Sequence, residues 1–206
     1  FKSFITKKSL KEKLFDEINR GKFKNKKIVS EDKFKNVPVK QGVQELFNEN
    51  SELSNIGTQQ QYSAYLDTIF PDSKVKDIVY HNTDEQFDVF KVPFYAEDMY
   101  GQDAPIGVFF STDKQYTSNF GKRNITAILN LKKPKFEKEI EYEKVAGYRL
   151  GKKTTEFDSF YGNDKIDLRD AQPSQGTEYV AFEPEQIHIL GSKQDIERFK
   201  DFVSKN

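Results

Sequence analysis

Three short motifs hold the residues whose types and order could do chemistry. They are Tyr80-His81-Asn82-Thr83, then Gly107-Val108-Phe109-Phe110 leading to Thr117-Ser118-Asn119-Phe120, then Glu178-Tyr179-Val180. An imidazole nitrogen donates or accepts a hydrogen bond, an aromatic face attracts a flat cation, and a fixed carboxylate stabilises positive charge as it develops. Taken singly, each has a plainer reading. A histidine at a strand end is usually satisfied within the structure, paired phenylalanines are usually core, and a glutamate opening a strand is usually solvated. The motifs gain meaning only if the fold brings all three together.

The elements that must position them follow from hydrophobic period and capping. Ser9 with Glu12 opens a helix carrying Leu10, Leu14, Phe15 and Ile18 on one face, and Gly21 stops it. Residues 22–38 have no sustained period and read as a linker or an irregular crossover. Val39, Val43, Leu46 and Phe47 predict a second, short helix; Thr58 with Gln61 caps a third, with the stripe Tyr62, Tyr65, Leu66 and Ile69, ended by Pro71. Strand-like runs follow at 77–82, 106–111, 125–131, 178–183 and 187–190. After the second of them, Thr112 and Gln115 form a capping box for a short helix that puts Tyr116 and Phe120 on one face and ends at Gly121. A last helix follows Ser192, with Asp195 at its third position and Ile196, Phe199 and Val203 inward. The segment 132–176, rich in Lys, Glu, Gly and Asp, shows no legible element, and its length suits a functional loop. The expected class is α+β with a mostly β core.

Taken in order, the motifs resemble the ADP-ribosyltransferase superfamily, in the branch whose signature reads His, then an aromatic, then Glu. Diphtheria-type toxins and poly(ADP-ribose) polymerases share that signature. The likeness covers residues 77–190. In that branch the first strand ends in His-Gly-Ser or His-Gly-Thr, the second reads Gly-Ile-Tyr-Phe before a helix ending Ser-Ala-Asn-Tyr, and a late strand begins Glu-Tyr. Phe109 falls on the first tyrosine and Phe120 on the second, with the same spacing between them. The stretch Leu53 to Pro71 also looks like the helical lead-in of such domains in large phage and plasmid polyvalent proteins. The resemblance implies a split β-sheet catalytic domain over residues 71–206 behind a helical extension and linker over 1–70.

It also implies roles. NAD⁺ is the implied cofactor, with His81 bonding the adenosine ribose and Thr83 placing a hydroxyl near the nicotinamide carboxamide. The backbone of Asn82 would supply a paired amide donor and acceptor, and Phe109 and Phe120 would sandwich the pyridinium ring. Glu178, with His81, is the implied catalytic pair: its carboxylate would stabilise the positive charge that grows on the ribose as the glycosidic bond to nicotinamide breaks. Two departures stand out, Asn82 for the usual glycine and Phe109 for the usual tyrosine. Arginine-modifying relatives carry Glu two places before the catalytic Glu; this chain has Gly176 there, in the loop Ala171 to Thr177 that would set acceptor specificity. The implied activity is mono-ADP-ribosyl transfer to a macromolecular acceptor, protein before nucleic acid, by a phage- or mobile-element-encoded effector in the host cytoplasm. An NAD⁺ glycohydrolase and an inactive virion-internal or binding module on the same fold remain open.

Composition narrows the alternatives. The chain has no cysteine and only two histidines, which excludes disulfides, thiolate metal sites and a His-rich zinc site. Asp164, Asp167 and Asp170 match no calcium loop, and neither a P-loop nor a Gly-x-Gly-x-x-Gly crossover occurs. Lys plus Arg equals Asp plus Glu at 33 each, so the chain as a whole has no field to draw nucleic acid or an anionic membrane. Residues 1–40 nonetheless carry 13 basic and 5 acidic side chains, which reads either as a solvated lysine-rich face or as an arm for nucleic acid. No apolar run approaches the roughly 20 residues that span a bilayer, so a soluble chain is expected. Its first residue, Phe1, suggests a processed product or a segment of a longer polypeptide. His188 alternates with Ile187 and Ile189 and is expected to face solvent or a polar partner. Phe94, Tyr95 and Tyr100 read as a lid over the cofactor or as plain loop packing.

Overall fold

Side-chain caps set most helix starts. In a computed structural model that describes residues 33–87, 89–91, 107–136, 156–162 and 176–206, the helix α1 (Val43–Glu49) begins after Gly42. That residue has φ +87°, and a Cβ there would stand 2.6 Å from the Tyr80 hydroxyl, so the turn into α1 requires glycine. Val39 lies ahead of the helix and is exposed rather than part of its stripe. Asn50 ends α1 and caps α2 (Ser51–Ile56), a helix too short to show a period. α3 (Gln59–Ile69) starts with the expected capping box. Thr58 Oγ1 accepts from the Gln61 N–H at 3.2 Å, and Gln61 Oε1 accepts from the Thr58 N–H at 2.8 Å.

The strands are β1 (Val79–Thr83), β2 (Val108–Ser111), β3 (Arg123–Leu129), β4 (Pro134–Phe136), β5 (Ser159–Gly162), β6 (Glu178–Ala181) and β7 (Ile187–Ile189). β4 and β5 fall inside the segment that showed no legible element. Between β2 and β3 runs α4 (Lys114–Thr117), continued as a 3₁₀ turn over Ser118–Phe120, and α5 (Lys193–Lys205) follows β7. The cap of α4 corrects the sequence reading by one residue. Asp113, not Thr112, accepts from the Tyr116 N–H at 3.1 Å.

The seven strands form one mixed sheet in the order β4-β5-β6-β2-β1-β3-β7, antiparallel at each pairing except β4–β5. Side chains alternate across it with period two. On one face Ile78, Tyr80 and Ile128 pack with Leu53, Tyr62 and Phe199 of α2, α3 and α5 in a single core. On the other, Val79, Val108, Phe110, Ala127 and Tyr179 form a second core under Phe90. The architecture is α+β.

The helical face has a polar centre. Asp195, at the third position of α5, is fully buried and accepts hydrogen bonds from the hydroxyls of Tyr62 and Tyr65 and from the Gly191 N–H at 2.8 Å. His188 Nε2 meets it at 2.8 Å. Of the two surroundings expected for His188, the structure selects the polar partner, and buries it. Buried charges persist only when their lone pairs are occupied in this way.

The expected helix over residues 9–21, Phe94, Tyr95, Tyr100, the three aspartates at 164, 167 and 170, and residues 171–175 lie outside the described residues.

Candidate functional site

The sheet is two ladders joined at one point. β1 pairs with β3 along its whole length, from Val79↔Ala127 to Thr83↔Arg123, and β2 pairs with β6 from Val108↔Ala181 to Ser111↔Glu178. Between β1 and β2 the register holds only at Tyr80↔Ser111. Beyond that pair the strands part, and a side chain takes over from the ladder: His81 Nδ1 lies 2.8 Å from the Phe109 carbonyl oxygen. The imidazole packs edge-on against Phe90 at 5.2 Å and against Phe110 at 5.6 Å. Burial pushes its pKa below the ordinary value, and the Phe109 carbonyl offsets part of that shift. A carbonyl only accepts, so Nδ1 carries the proton, and in the neutral ring Nε2 is left as an acceptor. Nothing among the described residues bonds Nε2.

Asn82 shows how the chain accommodates the first departure. No non-glycine residue among those described has positive φ, so the Asn82 backbone needs no conformation reserved for glycine. Its amide is folded away into a strut: Nδ2 donates to the Gly121 carbonyl at 3.0 Å, and Oδ1 accepts from Asn124 Nδ2 at 2.8 Å. Thr83 Oγ1 accepts from the Glu85 N–H at 3.1 Å, which leaves its hydrogen to donate elsewhere. Gly121 sits directly on Thr83. A Cβ there would come within 2.3 Å of the Thr83 carbonyl carbon, so only glycine lets the end of the 3₁₀ turn approach β1.

That approach presents Phe120. Its ring is 46% exposed and Phe109 is 39% exposed; among the described side chains they are the only aromatic rings left open. No ring contact joins the two, but Phe120 rests edge-on against Tyr116 at 5.3 Å. Beside Phe120 a shallow cavity of about 590 Å³ is lined by Asn82, Asp84, Ser118, Asn119, Gly121 and Lys122. A second cavity, of about 670 Å³, opens between Tyr80, Lys114 and Gly176.

Glu178 begins β6, and a clasp between two threonines fixes where. The Thr112 N–H donates to the Thr177 carbonyl at 3.1 Å, and the Thr177 N–H donates to Thr112 Oγ1 at 3.0 Å. Thr112 thus secures the catalytic candidate rather than capping α4. Gly176 is pressed into the same clasp; a Cβ there would lie 2.4 Å from Thr112 Oγ1 and 2.8 Å from the Asp113 nitrogen. A side chain at residue 176 would have to displace Thr112 or the start of α4. Tyr116 reaches toward Glu178 from α4. Its pKa is raised, first by burial and then by the Glu178 carboxylate.

Strand alternation sorts the candidates by face. Register puts Asn82, Phe109 and Glu178 on the face that carries Tyr80 and Ser111, and Phe120 joins them through Tyr116. His81 shares the other face with Phe110 and Tyr179 and meets the rest only at the parting of β1 and β2. Tyr116, Thr112 and Asn124 were missed as site residues. The four-residue spacing of Tyr116 from Phe120 was the available signal for the first; the other two act through pairings that only tertiary structure creates.

Among the described residues, no group of three or more His, Asp or Glu side chains is placed to hold a metal ion, and no helix is long and apolar enough to cross a membrane. No protein-family model matches the chain, and no curated protein matches it.

Proposed function

We propose that the chain is an NAD⁺-dependent mono-ADP-ribosyltransferase. The observation that carries this reading is the pair of open rings. Burying a phenylalanine contributes roughly 1.5–3 kcal/mol, and this chain forgoes a good part of that at Phe109 and Phe120 alone among its described aromatic rings, on the face where Glu178 stands. Two open rings beside a carboxylate suit a flat cation whose departure leaves positive charge on a sugar.

In this reading Phe109 and Phe120 hold the nicotinamide ring, and the Asn82 backbone meets its carboxamide. Glu178 holds the ribose hydroxyls and stabilises the growing charge, an interaction stronger in the transition state than in the ground state. His81, anchored through Nδ1, accepts a ribose hydroxyl at Nε2. The acceptor enters from the cavity between Tyr80, Lys114 and Gly176.

The packing of Gly176 favours a second reading, NAD⁺ hydrolysis, because no side chain there can orient an incoming macromolecule. Incubation with labelled NAD⁺ and a lysate, followed by mass spectrometry, separates the two: transfer leaves an adduct, hydrolysis only free ADP-ribose. Glu178→Gln should lower nicotinamide release by about a hundred- to a thousandfold. Absence of nicotinamide release, of adduct and of any NAD⁺-dependent thermal shift would overturn both readings and leave an inactive module on this fold.

A further inference from the structure

Among the described residues one buried side-chain polar atom lacks a hydrogen-bond partner, the hydroxyl of Tyr116. Leaving such a group unsatisfied costs roughly 1–3 kcal/mol, so something must hold the ring in place. The side chain is 3% exposed. Its backbone N–H is fixed by Asp113, and its ring is fixed against Phe120. The Thr112–Thr177 clasp ties the residue ahead of that cap to the residue ahead of Glu178, so the start of α4 and the start of β6 are set on one another. The Tyr116 ring therefore packs against the open Phe120 ring, and its phenol lies close enough to Glu178 to feel the carboxylate charge. Burial and the nearby Glu178 charge both keep it protonated, hence a donor.

We propose that Tyr116 positions Glu178: its O–H engages one carboxylate oxygen and orients the second toward the ribose of NAD⁺. This rests on the reading of the site given above. The phenol O–H donates, one carboxylate oxygen accepts, and the other stays available to a ribose hydroxyl. Tyr116 is too buried to touch substrate, so it is a positioning residue. It also braces Phe120, so one side chain sets the ring and the carboxylate relative to each other.

Tyr116→Phe removes only the oxygen. The expected variant keeps or raises its thermal midpoint, since the orphaned hydroxyl is gone. It keeps KM for NAD⁺ and loses about ten- to a hundredfold in kcat for nicotinamide release, the usual scale of a hydrogen bond to a charged group. A second readout needs no turnover. The carboxyl ¹³C resonance of Glu178, identified by its loss in Glu178→Gln, should titrate at higher pH in Tyr116→Phe. Full kcat with an unmoved titration, in a chain whose wild type releases nicotinamide, overturns the inference and leaves the reading of the site intact. A moved titration in a chain that does not cleave NAD⁺ upholds the Tyr116–Glu178 pairing and removes that reading.

Discussion

His81 Nδ1 and the Phe109 carbonyl oxygen meet at 2.8 Å across the line where β1 and β2 separate. The bond holds open strands together where the ladder has stopped, and it makes the ring's protonation state a matter of stability. Burial holds the His81 pKa below its ordinary value near 6.5, so the native chain binds fewer protons than the unfolded chain in mild acid. The stability this group confers is complete above that ordinary value and is lost as the pH falls through the folded one. Between about pH 7 and pH 5, thermal unfolding should show the wild type losing more stability than His81→Asn. His188 is common to both proteins and cancels; equal losses would assign the effect to another group.

Gly176→Glu tests the acceptor side. Under the proposed function it introduces the residue type that arginine-modifying ADP-ribosyltransferases carry at this place, yet its Cβ would stand 2.4 Å from Thr112 Oγ1. The expected outcome is destabilisation of about 1–3 kcal/mol in urea unfolding, from overpacking, with no gain of arginine-linked product. A stable variant that gains such product would show that the Thr112–Thr177 clasp yields readily.

Asn82→Ala removes the strut between β1, β3 and the Gly121 turn. Two partners lose their hydrogen bond, the Gly121 carbonyl and the Asn124 amide. Chemical denaturation should report a loss of about 1–3 kcal/mol. Under the proposed function only the Asn82 backbone meets NAD⁺, so a thermal shift induced by NAD⁺ in the wild type should survive in the folded fraction of the variant. A variant as stable as wild type would show the strut to be dispensable.

Asp195→Ala should be the most damaging of these changes. It strips two tyrosine hydroxyls, a histidine nitrogen and a backbone N–H of their common acceptor inside the core. Removing one partner of a buried charged cluster costs about 3–5 kcal/mol, a large part of the stability of a domain this size. Circular dichroism should show a chain unfolded at, or close to, ordinary growth temperature. A midpoint lowered by only a degree or two would show that the hydroxyls repair their bonds among themselves.

What the sequence disclosed of the fold followed the strength of local signals. The Thr58–Gln61 box, the Ser192 cap and the strand-like runs of β1, β3 and β6 are written in neighbouring residues, and each element stands within about two residues of where those signals put it. α2 and β4 are too short for any period to emerge, and β4 and β5 pair with each other across a long separation that local pattern cannot register. At the site, the openness of Phe109 and Phe120 was not legible in local pattern, where paired phenylalanines read first as core. Nor was the face of His81, because it depends on which residue of β1 pairs with Ser111. Thr112 was misread as a cap since Thr and Asp stand side by side and both are good caps; the competitor for its hydroxyl, Thr177, lies 65 residues away.

The carboxylate of Asp195 also fixes the order in which the chain can finish folding. Tyr62 and Tyr65 cannot be satisfied until a residue more than a hundred positions later has been made, and Phe199, which closes over Tyr62, is later still. During synthesis part of the aromatic stripe of α3 must therefore wait for α5, a slow, long-range closure that leaves it open to misassociation. Any shortened version ending before residue 195 would leave the Tyr62 and Tyr65 hydroxyls without that acceptor and Tyr62 without Phe199.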